Sequence, residues 1–127
     1  MGIKRVEDLV AFQRAVAFKE GIYALVRSSP RAMHDWKWRD QIFDAAVGVE
    51  SNIAEGWGRR TARQICQFLD YALASLDETR RRLLDGAARG YYTAEQCEAL
   101  WPHERICGAA IRGLRKSLEP FINTRGR

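Results

Sequence analysis

The chain has 127 residues, of which 46% are hydrophobic and 29% charged, a composition typical of one soluble globular domain and not of a disordered segment. No uncharged apolar stretch approaches the roughly 20 residues that span a bilayer, and the N-terminal sequence lacks the apolar region of a signal peptide. Cys66, Cys97 and Cys107 show no C-x-x-C spacing. We therefore expect reduced thiols, no metal centre and a cytoplasmic protein.

Most of the basic residues are arginines. The net charge is +5, with 17 arginines and 4 lysines. A GC-rich genome would favour arginine codons over lysine codons, but it does not account for the positive sign. Because basic side chains displace counterions from phosphates, a basic protein gains sequence-independent affinity for nucleic acid. The charge therefore makes nucleic acid a candidate partner.

Four stretches have apolar residues at intervals of three and four, as in a helix with one buried face. The predicted helices span residues 8–28, 35–56, 61–89 and 93–119, and residues 123–127 form a loose basic tail. Strand patterns are almost absent, and short connections make consecutive helices antiparallel neighbours. The sequence thus predicts a single all-α domain, an antiparallel up-down four-helix bundle.

Local signals support the ends of these helices. Segments 61–64 and 93–96 both read Thr-Ala-x-Gln, which matches the capping box of a helix start. Gly56 and Gly90 stand where the second and third helices should stop, and glycine readily takes the left-handed conformation of a C-terminal cap. The loop after residue 56 is therefore a hairpin corner. It lacks the strand and lysine of a phosphate-binding P-loop.

The first two helices are apolar on more than one face. The predicted core stripe of the first helix is Leu9, Phe12, Val16, Tyr23 and Val26, and that of the second is Ile42, Ala46, Val49 and Ile53. A second apolar set consists of Val10, Phe18, Leu25, Phe43, Val47, Ala54 and Trp57. A bundle core needs only one stripe per helix. The second set predicts a further buried surface between subunits, and hence an oligomer.

Polar side chains are concentrated on the second and third helices. The set comprises Ser51, Asn52, Glu55, Ser75 and Glu78. Two interpretations are open: an acid–base pair or metal site built on Glu55 and Glu78, or a buried network that fixes the register of two helices. The second is favoured, since no E-x-x-H pattern and no nucleophile–base arrangement accompanies the carboxylates. We expect no enzyme activity, no catalytic residues and no cofactor.

Two basic groups remain after the arginines that can pair with acids along their own helix are set aside. The first lies at the hairpin corner, where cations oppose the dipole of the third helix, and consists of Arg59, Arg60 and Arg63. The second lies on the fourth helix and consists of Arg112, Arg115 and Lys116. Both are candidate nucleic-acid contacts.

These segments resemble those of a known family. The runs DLVAFQRAVAF, AAVGVE, SNIAEGWGRR and QFLDYALASLDE are similar to those of 23S rRNA intervening-sequence proteins, and the similarity extends over about residues 7–119. The resemblance implies a left-handed antiparallel four-helix bundle that assembles into a ring-shaped homopentamer. It also relates the chain to the accessory protein of diversity-generating retroelements, which engages a reverse transcriptase and nucleic acid.

Two functional hypotheses follow. In the first, the protein is a non-enzymatic homo-oligomer that binds RNA or a nucleic-acid-processing protein through its arginines. In the second, it is a scaffold that binds a protein partner through apolar helix faces and has no nucleic-acid role. Phosphate binding weakens steeply with salt whereas apolar docking does not, so ionic strength discriminates between them.

Overall fold

The computed structural model describes residues 5–123, which form helices and connecting turns and contain no strand. The helices are α1 (Val10–Arg27), α2 (Pro30–His34), α3 (Trp36–Trp57), α4 (Ala62–Ala88), α5 (Ala94–Glu98) and α6 (Trp101–Leu118). Short 3-10 turns, Val6–Asp8 and Glu119–Phe121, flank them. The predicted all-α class is confirmed.

The four long helices α1, α3, α4 and α6 pack around one hydrophobic core, with α1 and α4 at diagonal positions. Helices α3 and α4 are antiparallel, since the guanidinium of Arg82 donates to Gln41 near one end at 2.9 Å and Phe68 packs beside Gly56 near the other. The largest fully buried side chains include Phe18, Ile22, Ile42, Ile53, Leu69, Leu83 and Ile111. Within residues 5–123, no helix is sufficiently long and apolar to cross a membrane.

Two segments differ from the predicted helices. The expected loop after the first helix contains α2, where Pro30 occupies the first turn and the hydroxyl of Ser29 accepts from the amide of Ala32 at 3.2 Å. The predicted fourth helix is divided into α5 and α6, and Pro102 lies in the first turn of α6. Proline has no amide to donate and disfavours helical geometry in the preceding residue, so it starts a helix better than it continues one. Of the predicted tail, residues 124–127 lie outside the described residues.

The buried face of α1 is rotated by one position from the predicted stripe. Leu9 and Val26 are buried as expected, but Phe12, Val16 and Tyr23 are only half-buried. The core positions of α1 are Ala11, Ala15, Phe18, Ile22 and Val26. Alanine has little apolar surface and gives a weak sequence signal, although its small side chain lets helices approach closely. On α3, the whole predicted stripe is buried.

The two predicted helix-ending glycines have different roles. Gly90 has a φ of 81° and comes directly after Arg89, the C-cap residue of α4, as a left-handed cap should. For Gly56 the prediction was wrong, because α3 continues through it to Trp57. A Cβ added at Gly56 would lie 2.6 Å from the Cβ of Phe68. Glycine is therefore needed there for close packing of α3 on α4.

Both predicted N-terminal caps are present, one of them only in part. The hydroxyl of Thr93 accepts from the amide of Gln96 at 3.1 Å, and the side chain of Gln96 accepts from the amide of Thr93 at 2.8 Å. This reciprocal pair is a complete capping box. The hydroxyl of Thr61 accepts from the amide of Gln64 at 3.1 Å, so α4 also begins at a capped residue.

Asp35 connects the start of α3 to the end of α4. Its carboxylate accepts from the amide of Trp38 at 3.3 Å, from the hydroxyl of Tyr91 and from the guanidinium of Arg89 at 3.0 Å. These bonds, that from Tyr91 foremost, hold the pKa of Asp35 below its ordinary value. Arg31 donates to the carbonyls of residues 89 and 90 from α2. This end of the bundle is thus closed by polar contacts between distant segments.

Replacing Asp35 by Asn should make stability less dependent on pH in the acid range. A lowered folded-state pKa contributes stability above the unfolded-state value of about 4, and that contribution is lost as pH falls through the folded-state pKa. The difference in unfolding free energy between wild type and Asp35→Asn should therefore be constant near neutral pH and shrink below about pH 4. Urea titrations at several pH values measure it, and a difference that grows on acidification would contradict the assignment.

Candidate nucleic-acid interface

Five of the six cations that were predicted in two separate groups lie at the same end of the bundle. Helix α4 starts at the corner after α3, and the C-terminal part of α6 packs beside that start: Arg63 Nη2 donates to Asn123 Oδ1 at 3.0 Å, and Arg115 pairs with Asp70. We call this region the corner end. Its cations are Arg59, Arg60, Arg63, Arg115 and Lys116. The guanidinium of Arg112 lies back over Gly108 and beside Leu76, which places it near the middle of the bundle.

Arg115 is the most strongly held of these cations. Its guanidinium donates to both carboxylate oxygens of Asp70, at 2.7 and 3.1 Å, and to Glu119 at 2.9 Å. The hydrogen bond with Asp70 is the main cause of the raised pKa of Arg115. Two carboxylates neutralise this arginine, and its bidentate contact joins α6 to α4. Its position makes it a structural cross-link as well as a candidate phosphate contact.

Arg59 contacts both a carboxylate and an aromatic ring. Its Nη2 lies 2.6 Å from Glu55 Oε2, one helical turn back, and its guanidinium lies over the ring of Phe68 at 4.7 Å from the centroid. The planar guanidinium can stack and donate hydrogen bonds together. Arg59 is consequently held at the surface in a defined orientation, with about two-fifths of its side chain exposed.

The other three cations of the corner end lack a carboxylate partner. Arg60, Arg63 and Lys116 are exposed, and within residues 5–123 no carboxylate oxygen lies within 4.0 Å of their charged groups. The corner end therefore has five cations, whereas only three carboxylates (Glu55, Asp70 and Glu119) pair with any of them. The excess positive charge is open to solvent.

An open cavity of about 330 Å³ lies between the start of α4 and the end of α6. It is lined by Arg63, Cys66, Gln67, Asp70, Arg115 and Ile122. Burial raises the pKa of the Cys66 thiol, so this cysteine is protonated near neutral pH and a poor nucleophile. Cys97 and Cys107 are likewise free and buried. Burial raises the pKa of Cys107 to about 12.

The structure does not join the five polar residues predicted as a cluster. Ser51 and Asn52 both donate to the carbonyl of residue 48, one turn back, at 3.4 and 2.8 Å. Glu55 pairs with Arg59, and Glu78 with Arg82 on its own helix at 3.5 Å. Ser75 packs against Gly48, where an added Cβ would lie 2.9 Å from its hydroxyl oxygen. No hydrogen bond of the described residues connects two members of the set, and the contact between α3 and α4 here is steric.

Glu55 and Glu78 are also too far apart for a joint chemical role. Gly48 lies beside Ser75 in the antiparallel pair. Glu78 is then roughly level with Ala45, ten residues before Glu55, or about 15 Å along the helix axis. An acid–base pair built on these two carboxylates does not fit the structure. Among residues 5–123, no group of three or more His, Cys, Asp or Glu side chains is arranged to hold a metal ion.

Sequence reasoning missed an aromatic group next to the corner cations. Phe68 and Tyr71 meet edge to face with ring centroids 5.4 Å apart, and Gln67 Nε2 donates to the hydroxyl of Tyr71 at 2.9 Å. The sequence does contain a signal for this group: Arg63, Gln67 and Tyr71 are four residues apart and therefore lie along one line of α4. The pairing of Asp70 with Arg115 could not be detected in this way, because the two residues are far apart in sequence.

Comparison with known proteins assigns a family. The 23S rRNA-intervening sequence protein family matches residues 7–111, which is most of the chain. A search among curated proteins gives no match. The matched segment includes α1, α3 and α4 and the greater part of α6. The chain therefore belongs to the 23S rRNA-intervening sequence protein family.

Proposed function

We propose that the protein is a non-enzymatic accessory protein that binds nucleic acid, RNA foremost, through its corner end. The observation that carries the proposal is the group of three exposed corner-end cations without carboxylate partners, Arg60, Arg63 and Lys116. Arg112 is a further exposed cation without a carboxylate partner among the described residues, nearer the middle of α6. Phosphates can neutralise these groups without first displacing an internal ion pair. The net charge of +5 and the family membership support the same function.

We further propose that the chain acts as a ring-shaped homo-oligomer, with the five subunits that the family resemblance implies. Support comes from a second stripe, outside the core, that runs along α1 and α3. Tyr23 and Phe43 meet there with ring centroids 4.6 Å apart, and Lys19 pairs with Glu50 at 2.8 Å. The two charged side chains are only 16% and 18% exposed.

We call this stripe the α1–α3 seam. It also contains the half-buried or exposed side chains of Phe12, Val16, Val47, Ala54 and Trp57. A subunit packed on the seam would bury apolar surface, and each Å² buried would contribute about 25 cal/mol to the free energy of association. In a cyclic oligomer the corner end would recur once per subunit, and weak phosphate contacts at each copy would add along one strand.

One specific feature favours the alternative of a protein-binding scaffold. Trp36, at the start of α3, is 67% exposed, and an exposed tryptophan is a frequent anchor at protein interfaces. In this alternative, a partner docks on α3 through apolar contacts and the positive charge is incidental. Affinity would then depend little on salt.

Binding of the wild-type protein to fluorescein-labelled RNA at 50 to 200 mM salt tests the proposed function. We expect the logarithm of affinity to fall linearly with the logarithm of salt concentration, with a slope of about 0.7–0.9 per phosphate contact. Sedimentation of the same sample should give the mass of an oligomer. Absence of RNA binding at low salt would reject the nucleic-acid role, and a monomer mass at micromolar concentration would reject the ring.

A further inference from the structure

The group formed by Arg59, Gln67, Phe68 and Tyr71 has a geometry that simple charge neutralisation does not require. Tyr71 is 46% exposed, yet its hydroxyl accepts a hydrogen bond from Gln67 at 2.9 Å and its ring meets that of Phe68 edge to face. Phe68 in turn lies under the guanidinium of Arg59. The aromatic surface is therefore both open to solvent and fixed in orientation.

We propose that the exposed ring of Tyr71 stacks on an unpaired base of single-stranded nucleic acid while the neighbouring arginines contact its phosphates. This inference rests on the proposed function and specifies its ligand. Sequence-tolerant proteins bind single strands by this combination of a positive groove and aromatic rings. The bases of a duplex are stacked on one another and offer no free face to a ring.

The surroundings of Tyr71 supply the complementary charge. Arg63 lies two helical turns before Tyr71 on the same line of α4, about 12 Å along the axis. Gln67 lies between them and lines the same cavity as Arg63. The carboxylate of Asp70, the residue before Tyr71, is engaged by Arg115. A strand that follows this line would meet cations at its phosphates and a ring at one base.

The test compares single strands with a duplex. The probes are labelled oligoadenylate RNA, the DNA strand of the same base sequence, and the RNA duplex formed with oligouridylate. Tyr71→Ala should weaken binding of both single strands about tenfold, or about 1.4 kcal/mol, because it removes the stacking of one base. It should leave duplex binding unchanged. Tyr71→Phe keeps the ring and should bind like wild type.

The matched control is Leu84→Ala. Leu84 is a large apolar residue of the same helix with a similar exposure of 43%, and it lies towards the opposite end of the bundle. Its replacement should not change binding of any probe. A second readout is the fluorescence of an oligonucleotide containing 2-aminopurine, which stacking on Tyr71 should quench and Tyr71→Ala should restore.

Several outcomes would overturn the proposal. Unchanged single-strand binding by Tyr71→Ala, or an equal loss for single strands and duplex, would exclude base stacking at this ring. A change in sedimentation mass would place Tyr71 in a subunit interface instead. If wild type binds none of the probes, the proposed function fails too, whereas binding that survives Tyr71→Ala rejects only the stacking role. Circular dichroism melting verifies that each variant is folded.

Discussion

Replacing Phe18 by Ala is expected to lower the free energy of unfolding by about 3–5 kcal/mol, the usual cost of removing a buried phenylalanine side chain. Phe18 is fully buried in the core between the long helices. Its removal loses the transfer free energy of the ring and leaves a cavity that rigid helices fill only in part. Urea denaturation followed by circular dichroism measures the change.

Phe12→Ala is the matched control, because it removes the same side chain from the same helix at a half-buried position of the α1–α3 seam. It should cost less folding stability than Phe18→Ala. If the seam is the subunit interface, it should also lower the oligomer mass at low protein concentration. Both variants need measurement at two concentrations, since association stabilises the folded chain by mass action. A larger loss for Phe12→Ala would contradict the observed orientation of α1.

The orientation of α1 shows which part of the fold could be predicted from sequence. The existence and direction of the long helices follow from periodic apolar residues and short connections, and these were predicted. The rotation of α1 was not, since apolar residues occur on adjacent faces and the core face contains Ala11 and Ala15. Close approach of small residues depends on the neighbouring helix, which local periodicity does not encode. The division between α5 and α6 was, by contrast, available from Pro102.

The polar residues show why the candidate site was only partly predictable. In the sequence, Glu55 and Glu78 belong to neighbouring antiparallel helices and could be close in space. The packing of Ser75 on Gly48 sets a helix register that keeps them apart. The meeting of the corner arginines with Arg115 and Lys116 at one end follows from the up-down arrangement alone. Which cations lack a carboxylate partner depends on long-range ion pairs. The pair of Arg115 with Asp70, for example, joins residues 45 apart in sequence.

Replacing Arg59, Arg60 and Arg63 together by Gln is expected to weaken RNA binding, most strongly at low salt. Each lost phosphate contact should reduce the salt slope by about one, hence by about three for the triple variant. Glutamine is polar and suits a helix, so α4 should still be capped by Thr61, whose hydroxyl accepts from the amide of Gln64. The oligomer mass should stay unchanged.

The charge-matched control replaces Lys37, Arg80 and Arg105 by Gln, which removes three exposed positive charges towards the opposite end of the bundle. A general effect of net charge would weaken binding equally in both triple variants, because long-range attraction depends on the total field of the protein. Local contact at the corner end requires a large loss in the first variant and a small one in the control. Equal losses, or RNA binding indifferent to the first triple change, would exclude the corner end as the site where phosphates are bound.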